Sequence, residues 1–242
     1  MTVDDFTKNA FSSFVNSMRS ECSSPEDLMV TAYIELKKWI FAYRIVPGQK
    51  LIMKDLTDKL KMSKTPIIYA LNRLEYEGFV ERFLNRGYFV HEMDRKEAIE
   101  LFDARAAIEV FSLERAIGNL TKNDLEEIER MVNYHSESNY MNMTPRLIVD
   151  MSLHLKIAEI TGNNFLIKML KSLFERLYLT YRFDRMDPGR KIPSEEEHKW
   201  ILEALKKKDF KTARNHLLEH MKNGQEAILE GLRDYFPERA SK

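Results

Sequence analysis

Apolar residues recur along most of this chain at intervals of three and four, the spacing of one face of a helix. Leu28, Tyr33, Leu36, Ile40 and Phe41 form the first stripe, led by Ser24, Pro25 and Asp27. A serine cap, a proline in the first turn and an acidic residue three on open a helix, here predicted from Pro25 to about Tyr43. Pro47-Gly48 breaks the chain, and Leu56 and Leu60 mark a short helix that stops at Lys61-Met62-Ser63. Thr65 as cap and Pro66 as first residue then predict a further helix, with Ile67, Ala70, Leu71 and Leu74 on one face and Gly78 at its end. The period next changes to two. Val80 to Phe83 and Tyr88 to Val90 read as edge strands around a hairpin-type turn, Leu84-Asn85-Arg86-Gly87.

From Asp94 onward no strand signal appears, and helix starts recur at Asp94 with Glu97, Thr121 with Asp124, Thr144-Pro145, Ser194 with Glu197, and Asp209. Breaks fall near Gly118, Met143, Gly162 and Asp187-Pro188-Gly189. The pattern predicts a mainly α protein. An N-terminal winged helix-turn-helix with a small β-hairpin wing occupies 27–92, and a C-terminal all-α bundle of six or seven helices occupies 93–242. Residues 1–26 form an extension, in which the weak spacing of Phe6, Ala10, Phe14 and Met18 suits either a tail or a short extra helix.

With 242 residues the chain is long enough for two ordinary domains. Lysine and arginine equal aspartate and glutamate at 38 each, so no overall polycation attracts nucleic acid. The balance is uneven, however: 27–92 holds eleven Lys and Arg against eight Asp and Glu, which places a modest basic excess on the winged segment. Cys22 is the one cysteine, which rules out an internal disulfide and suits a reducing compartment. No apolar run approaches the roughly 18 residues that a membrane span needs, and Asp4 and Asp5 do not suit a secretory signal. A cytoplasmic protein without a membrane partner is expected.

In a helix-turn-helix the second helix enters the major groove with its first turn nearest the bases, while the preceding helix and the wing hold phosphates. That geometry nominates Ser63, Lys64, Thr65, Ile68 and Tyr69 for reading, Lys54 on the preceding helix, and Arg82, Arg86 and Gly87 on the wing. Pro47-Gly48-Gln49-Lys50-Leu51, Ser63-Lys64-Thr65-Pro66-Ile67-Ile68-Tyr69-Ala70-Leu71, Leu74-Glu75-Tyr76-Glu77-Gly78-Phe79-Val80 and Arg86-Gly87-Tyr88-Phe89-Val90 together resemble the DNA-binding domain of the GntR family of bacterial transcription regulators. Two positions depart from the family pattern. Lys64 stands for an arginine that contacts DNA in the family and gives up its planar fork. Ile68 stands for a second such arginine and cannot donate a hydrogen bond, although it can pack on a thymine methyl.

In the helical half, Asp150 and His154 lie four residues apart on an apolar stripe with Leu147, Met151, Ile157 and Ala158. His198 aligns with Ile201, Leu202 and Leu205, and His220 with Ala213, Leu217, Met221 and Ile228. A single inward histidine is ordinarily a hydrogen-bonded core residue. Three of them with an inward aspartate suit one divalent transition metal instead. His216 competes with these, being four residues before His220.

Leu101-Phe102-Asp103-Ala104-Arg105-Ala106-Ala107-Ile108-Glu109, Asp150-Met151-Ser152-Leu153-His154, Glu197-His198 and Ala213-Arg214 leading to His220 resemble the FCD effector domain of the FadR subgroup of GntR regulators. The resemblance implies a metal held by Asp150, His154, His198 and His220, with zinc the first expectation and nickel, manganese or iron the others. It also places Arg105 toward an effector pocket. There the arginine either clamps a carboxylate or forms an internal ion pair, for example with Glu109. Tyr178, Tyr181 and Arg182 are further candidates for the cavity wall. The expected function is a homodimeric regulator, not an enzyme, that binds double-stranded operator DNA and answers to a small carboxylate effector. A metal-dependent hydrolase with Glu197 or His216 as base, or a helical half serving dimerisation alone, are the alternatives.

Overall fold

The computed structural model describes residues 28–137, 143–180 and 191–233, with the side chains of 134–137, 143–149, 191–195 and 233 outside that description. The expectations for the N-terminal extension, for Tyr181 and Arg182 and for the Asp187 break therefore lie outside the described residues. Among the described residues two compact units emerge, one containing 94–175 and 191–233, the other containing 28–93 together with 176–180.

The N-terminal unit begins with α1 (Leu28–Phe41), followed by β1 (Lys50–Leu51), α2 (Met53–Leu60), α3 (Lys64–Tyr76), β2 (Val80–Phe83) and β3 (Gly87–Val90). Helices α1 and α3 pack together. Leu36 and Ile40 of α1 and Ile67, Leu71 and Leu74 of α3 are fully buried, and cutting any of them to alanine should cost about 2–5 kcal/mol. Lys61 takes a left-handed conformation with φ of 55° and so makes the turn between α2 and α3.

Helix α3 starts at Lys64 with Ser63 as its cap, two residues ahead of the cap expected at Thr65. Ser63 is the last extended residue, and Pro66 sits inside the first turn, where a missing N–H forfeits no intrahelical bond. At the other end Gly78 N donates to Glu75 O at 3.0 Å and Phe79 N to Leu74 O at 2.8 Å. This is a Schellman closure, and it needs the positive φ of 79° that Gly78 adopts.

Strand order is β1-β3-β2, all antiparallel. The hairpin is as expected; β1 is an addition. Its two residues, Lys50 and Leu51, pair with Phe89 and Tyr88 and are too few to display an alternating pattern.

The second unit is helical throughout its described residues: α4 (Arg95–Asn119), α5 (Lys122–Glu137), α6 (Met143–Ile160), α7 (Asn164–Thr180), α8 (Lys191–Lys206) and α9 (Phe210–Arg233). The last turn of α7, from Arg176, groups with the N-terminal unit. Caps chosen from the sequence recur here. Asp94 Oδ1 accepts from Glu97 N at 2.8 Å, Thr121 and Asp124 close a reciprocal box, and Asp209 accepts from Thr212 N. Gly118 does not break α4, which continues to Asn119, and α8 starts at Lys191, ahead of Ser194. Helix α4 packs on α6 and α9, and α8 packs on α5 and α9. That arrangement carries Arg105 and Glu109, Asp150 and His154, Glu197 and His198, and His220 and Asn223 on four mutually supported helices. Among the described residues no helix is long and apolar enough to cross a membrane.

Candidate functional site

On the N-terminal unit the reading candidates share one exposed surface. Ser63, Lys64 and Thr65 open α3 in solvent, and Ile68 and Tyr69 are 40% and 49% exposed one turn later. The Ser63 side chain makes no cap hydrogen bond, so the first N–H groups of α3 remain turned outward where an anion can meet them. Lys54 is exposed near the start of α2, and Arg82, Arg86 and Gly87 are exposed on the wing.

Aromatic residues that the sequence reading left aside hold the wing cations. Arg82 lies over the Tyr88 ring at 5.6 Å, and the Tyr88 hydroxyl donates to Asn72 Oδ1 on α3 at 2.8 Å. Arg86 lies over Phe83 at 5.3 Å and Phe89 at 5.5 Å, and those two rings meet edge to face.

The C-terminal end of α3 is fixed from α1. Glu77 Oε2 accepts from the Tyr33 hydroxyl at 2.7 Å and from Lys37 Nζ at 3.2 Å, and Glu77 Oε1 accepts from Arg73 Nε at 3.1 Å. Lys37 is 3% exposed, and the anion beside it offsets the cost of burying its charge. Burial pushes the Tyr33 hydroxyl well above its ordinary range.

In the helical unit Asp150, His154, His198 and His220 converge, with one ligand atom from each lying within 4.8 Å of the others. All three Nε2 atoms face the same oxygen, Asp150 Oδ1, from 3.9 Å (His154), 3.2 Å (His198) and 3.9 Å (His220). Donor atoms held about 2.1 Å from one ion stand roughly 3.0–3.4 Å apart at right or tetrahedral angles; the His198–Asp150 spacing falls in that range, and His154 and His220 stand somewhat wider. His216 does not join it. That side chain is half-buried and faces the Trp200 ring at 5.7 Å.

The outward nitrogens define the surroundings. His154 Nδ1 lies 2.6 Å from Glu109 Oε2, and Glu109 Oε1 accepts from Arg105 Nε at 2.8 Å. His220 Nδ1 lies 2.9 Å from Glu197 Oε2, and Glu197 Oε1 accepts from Asn223 Nδ2 at 2.7 Å. A carboxylate on Nδ1 fixes the tautomer that leaves Nε2 as an acceptor, which is how ligating imidazoles are oriented. Arg105 thus realises the internal pair with Glu109, and its guanidinium also stacks on Phe174 at 4.1 Å. Neither glutamate was selected for this role from the sequence, although Glu109 sits four residues from Arg105 and Glu197 adjoins His198. Tyr178, a candidate for the cavity wall, is buried in the last turn of α7, which groups with the other unit.

The electrostatics suit neutral imidazoles around anions. Burial pushes Glu109 upward, but Arg105 and His154 outweigh it and lower its carboxyl to about 2. Burial acts likewise on Asp150, yet the His198 hydrogen bond and the neighbouring imidazoles hold it well below the carboxylate range. Burial, reinforced by His220, lowers His198 to about 4, and burial lowers His220 also. At neutral pH His198 and His220 offer uncharged nitrogens beside the Asp150 carboxylate, and together with His154 they form a donor set that could hold a divalent transition metal.

A winged helix-turn-helix joined to a helical unit is the architecture of a transcriptional regulator. Residues 28–90 match the gntR family of bacterial regulatory proteins, and residues 100–223 match the FCD domain. The chain belongs to the GntR family of transcriptional regulators and carries an FCD domain. It is 27% identical to the Nta operon transcriptional regulator of Aminobacter aminovorans over 193 residues, 79% of this chain and 90% of that protein. It is also 27% identical to the HTH-type transcriptional regulator McbR of Escherichia coli over 190 residues, 77% of this chain and 86% of the relative. The solved structure of E. coli McbR/YncC superposes with a TM-score of 0.69, covering 84% of this chain and 97% of that one.

Proposed function

We propose that this regulator binds its operator as a homodimer in the bacterial cytoplasm, and that a small organic acid governs it through a metal bound by Asp150, His154, His198 and His220. The single observation that carries the metal is the convergence of three Nε2 atoms on one oxygen of Asp150. Zinc suits three imidazoles and a carboxylate best, with nickel, manganese and iron as the alternatives. When bound, the ion supplies a Lewis-acid position that a carboxylate oxygen can occupy. Glu109 and Glu197 hold His154 and His220 in the ligating tautomer, and Arg105 keeps Glu109 ionised.

The effector acts by binding one packing of the helices better than another, which shifts the population of DNA-competent dimers. Phe165 and Met169, one turn apart on α7 and 80% and 54% exposed, offer an apolar face for self-association. In the head, Lys54, Arg82, Arg86 and the exposed start of α3 hold phosphates, with Gly87 allowing close approach of the wing backbone. Ser63, Lys64, Thr65, Ile68 and Tyr69 face the bases. Both Glu197 oxygens are engaged, by His220 and Asn223, and His216 faces Trp200 outside the cluster, which speaks against both bases that a hydrolase reading would use.

Elemental analysis of the purified protein tests the centre: about one divalent metal per chain is expected, with loss in His198→Ala. Equal metal content in the two proteins would overturn the site. An organic-acid thermal-shift screen, run with and without chelator, then tests the effector. Stabilisation that survives removal of the metal would refute the coordination role.

A further inference from the structure

The C-terminal end of α3 is held by a residue from outside the winged segment. Carbonyls in the last turn of a helix have no partner within it, and here the carbonyl of Glu77 accepts from Arg176 Nη1 at 3.4 Å. The guanidinium fills the space over Gly78, where any Cβ would collide with it, so the glycine that closes α3 also admits this side chain. A cation at this position suits the negative end of the helix dipole. With the Glu77 carboxylate taken by Tyr33, Lys37 and Arg73, the end of α3 is fixed by α1 through one group and by α7 through the other. A second tie lies four residues on, where Met93 N donates to Thr180 O at 3.0 Å.

The helix that supplies Arg176 has another attachment. Phe174, fully buried, packs on the His154 ring at 5.5 Å and under the Arg105 guanidinium at 4.1 Å. Helix α7 runs unbroken from Asn164 to Thr180, its residues up to Glu175 grouping with the helical unit and those from Arg176 with the head. About 3 Å of helix rise separates Phe174 from Arg176. A hydrogen-bonded helix is rigid over that length, so a displacement of Phe174 reaches Arg176 with little loss.

We infer that Arg176 is a positioning residue for the reading helix, and that through it operator affinity depends on the state of the Asp150, His154, His198 and His220 centre. It acts by holding the Glu77 carbonyl and not by touching DNA. This rests on the DNA and metal readings proposed above. The coupling is reciprocal: the factor by which a filled centre changes DNA affinity is the factor by which DNA changes metal affinity.

The test uses the full-length protein, a duplex selected by the wild type from a random 20-base-pair library, and zinc alone as the probe of the centre. Wild-type affinity for the duplex should differ about fivefold between zinc-loaded and chelator-treated protein. Arg176→Ala should narrow that ratio to below about twofold with zinc content unchanged, and its salt slope should match the wild type because no phosphate contact is lost. Arg176→Lys, which keeps a cation and a donor, should restore most of the ratio. An undiminished ratio in Arg176→Ala would overturn the inference, as would no recovery in Arg176→Lys, or a salt slope lower by about one, the mark of a direct phosphate contact. A wild type that holds zinc but binds the duplex equally with and without it would overturn the inference and leave the metal centre standing. A wild type that holds no zinc, or selects no duplex, would overturn it together with the reading beneath it, and elemental analysis and the selection show which.

Discussion

Removing Arg105 or Glu109 separately, and then both together, distinguishes a structural pair from an effector clamp. Both side chains are 3% exposed, and Arg105 Nε lies 2.8 Å from Glu109 Oε1. Lowering the Glu109 carboxyl from 4.5 to about 2 corresponds to about 3 kcal/mol in favour of its ionised form. Breaking a buried pair from one side costs about 3–5 kcal/mol, whereas replacing both charges with apolar groups is often near neutral. Glu109→Met and Arg105→Met should therefore each destabilise by about 3 kcal/mol. Arg105→Met combined with Glu109→Met should cost far less than the two together, giving a coupling of about 2 kcal/mol or more. Urea unfolding of metal-free protein at pH 7 measures this. A Trp39→Phe background leaves Trp200 of α8 to report on the helical unit. In the same series Glu109→Gln should weaken zinc affinity about 10- to 100-fold by releasing His154. Additive single effects, within about 0.5 kcal/mol, would refute the pairing and return Arg105 to the role of a free carboxylate clamp.

Two further outcomes follow from the same geometry. His198, lowered to about 4 in the folded chain against 6.5 ordinarily, takes up a proton in the unfolded chain first. Stability of the metal-free protein should be complete above pH 6.5 and fall by up to about 3 kcal/mol as the pH drops toward 4; an unfolding series flat across that window would refute it. Gly78→Ala should destabilise the head by about 1–3 kcal/mol, because φ is 79° and the new Cβ would collide with the Arg176 guanidinium. Combining it with Arg176→Ala should recover only the steric part in thermal unfolding, and full recovery would show that the backbone carries no strain.

Much of this architecture was legible in the sequence because its signals are local. The caps at Asp94, Thr121 and Asp209 depend on side chains three residues apart, and the Gly78 closure depends on the one residue type that accepts its φ. Thr65 misled because serine at 63 and threonine at 65 are both good caps, and Pro66 is tolerated at more than one position of a first turn. Strand β1 was hidden because two residues have no period. In the site, inward histidines stood out as polar exceptions on apolar stripes. Glu109 was legible only as a partner for Arg105 and Glu197 only as a candidate base; their places beside His154 and His220 were not, since a carboxylate one position off a stripe resembles a solvated one until the partner helix is in place. The aromatic support of Arg82 and Arg86 was hidden for a similar reason: cross-strand pairing brings Phe83 to Phe89 and Arg82 to Tyr88, and the register had first to be known.

Those two glutamates change what an effector must do. Counting Asp150 alone, a divalent ion and three neutral imidazoles carry net positive charge, which by itself attracts an organic acid. With Glu109 and Glu197 in contact with His154 and His220, and Arg105 in contact with Glu109, these described residues sum to minus two, and the proposed ion brings the centre to neutrality. Net charge then provides no attraction for an anion. An acid effector must gain its affinity from direct coordination at an open position and from the shape of the surrounding walls, so affinity should depend on ligand geometry more than on ligand charge. Under the proposed function Arg105 would enter that affinity at one remove: it pairs with Glu109, Glu109 lies against His154, and His154 would be one of the residues that hold the ion.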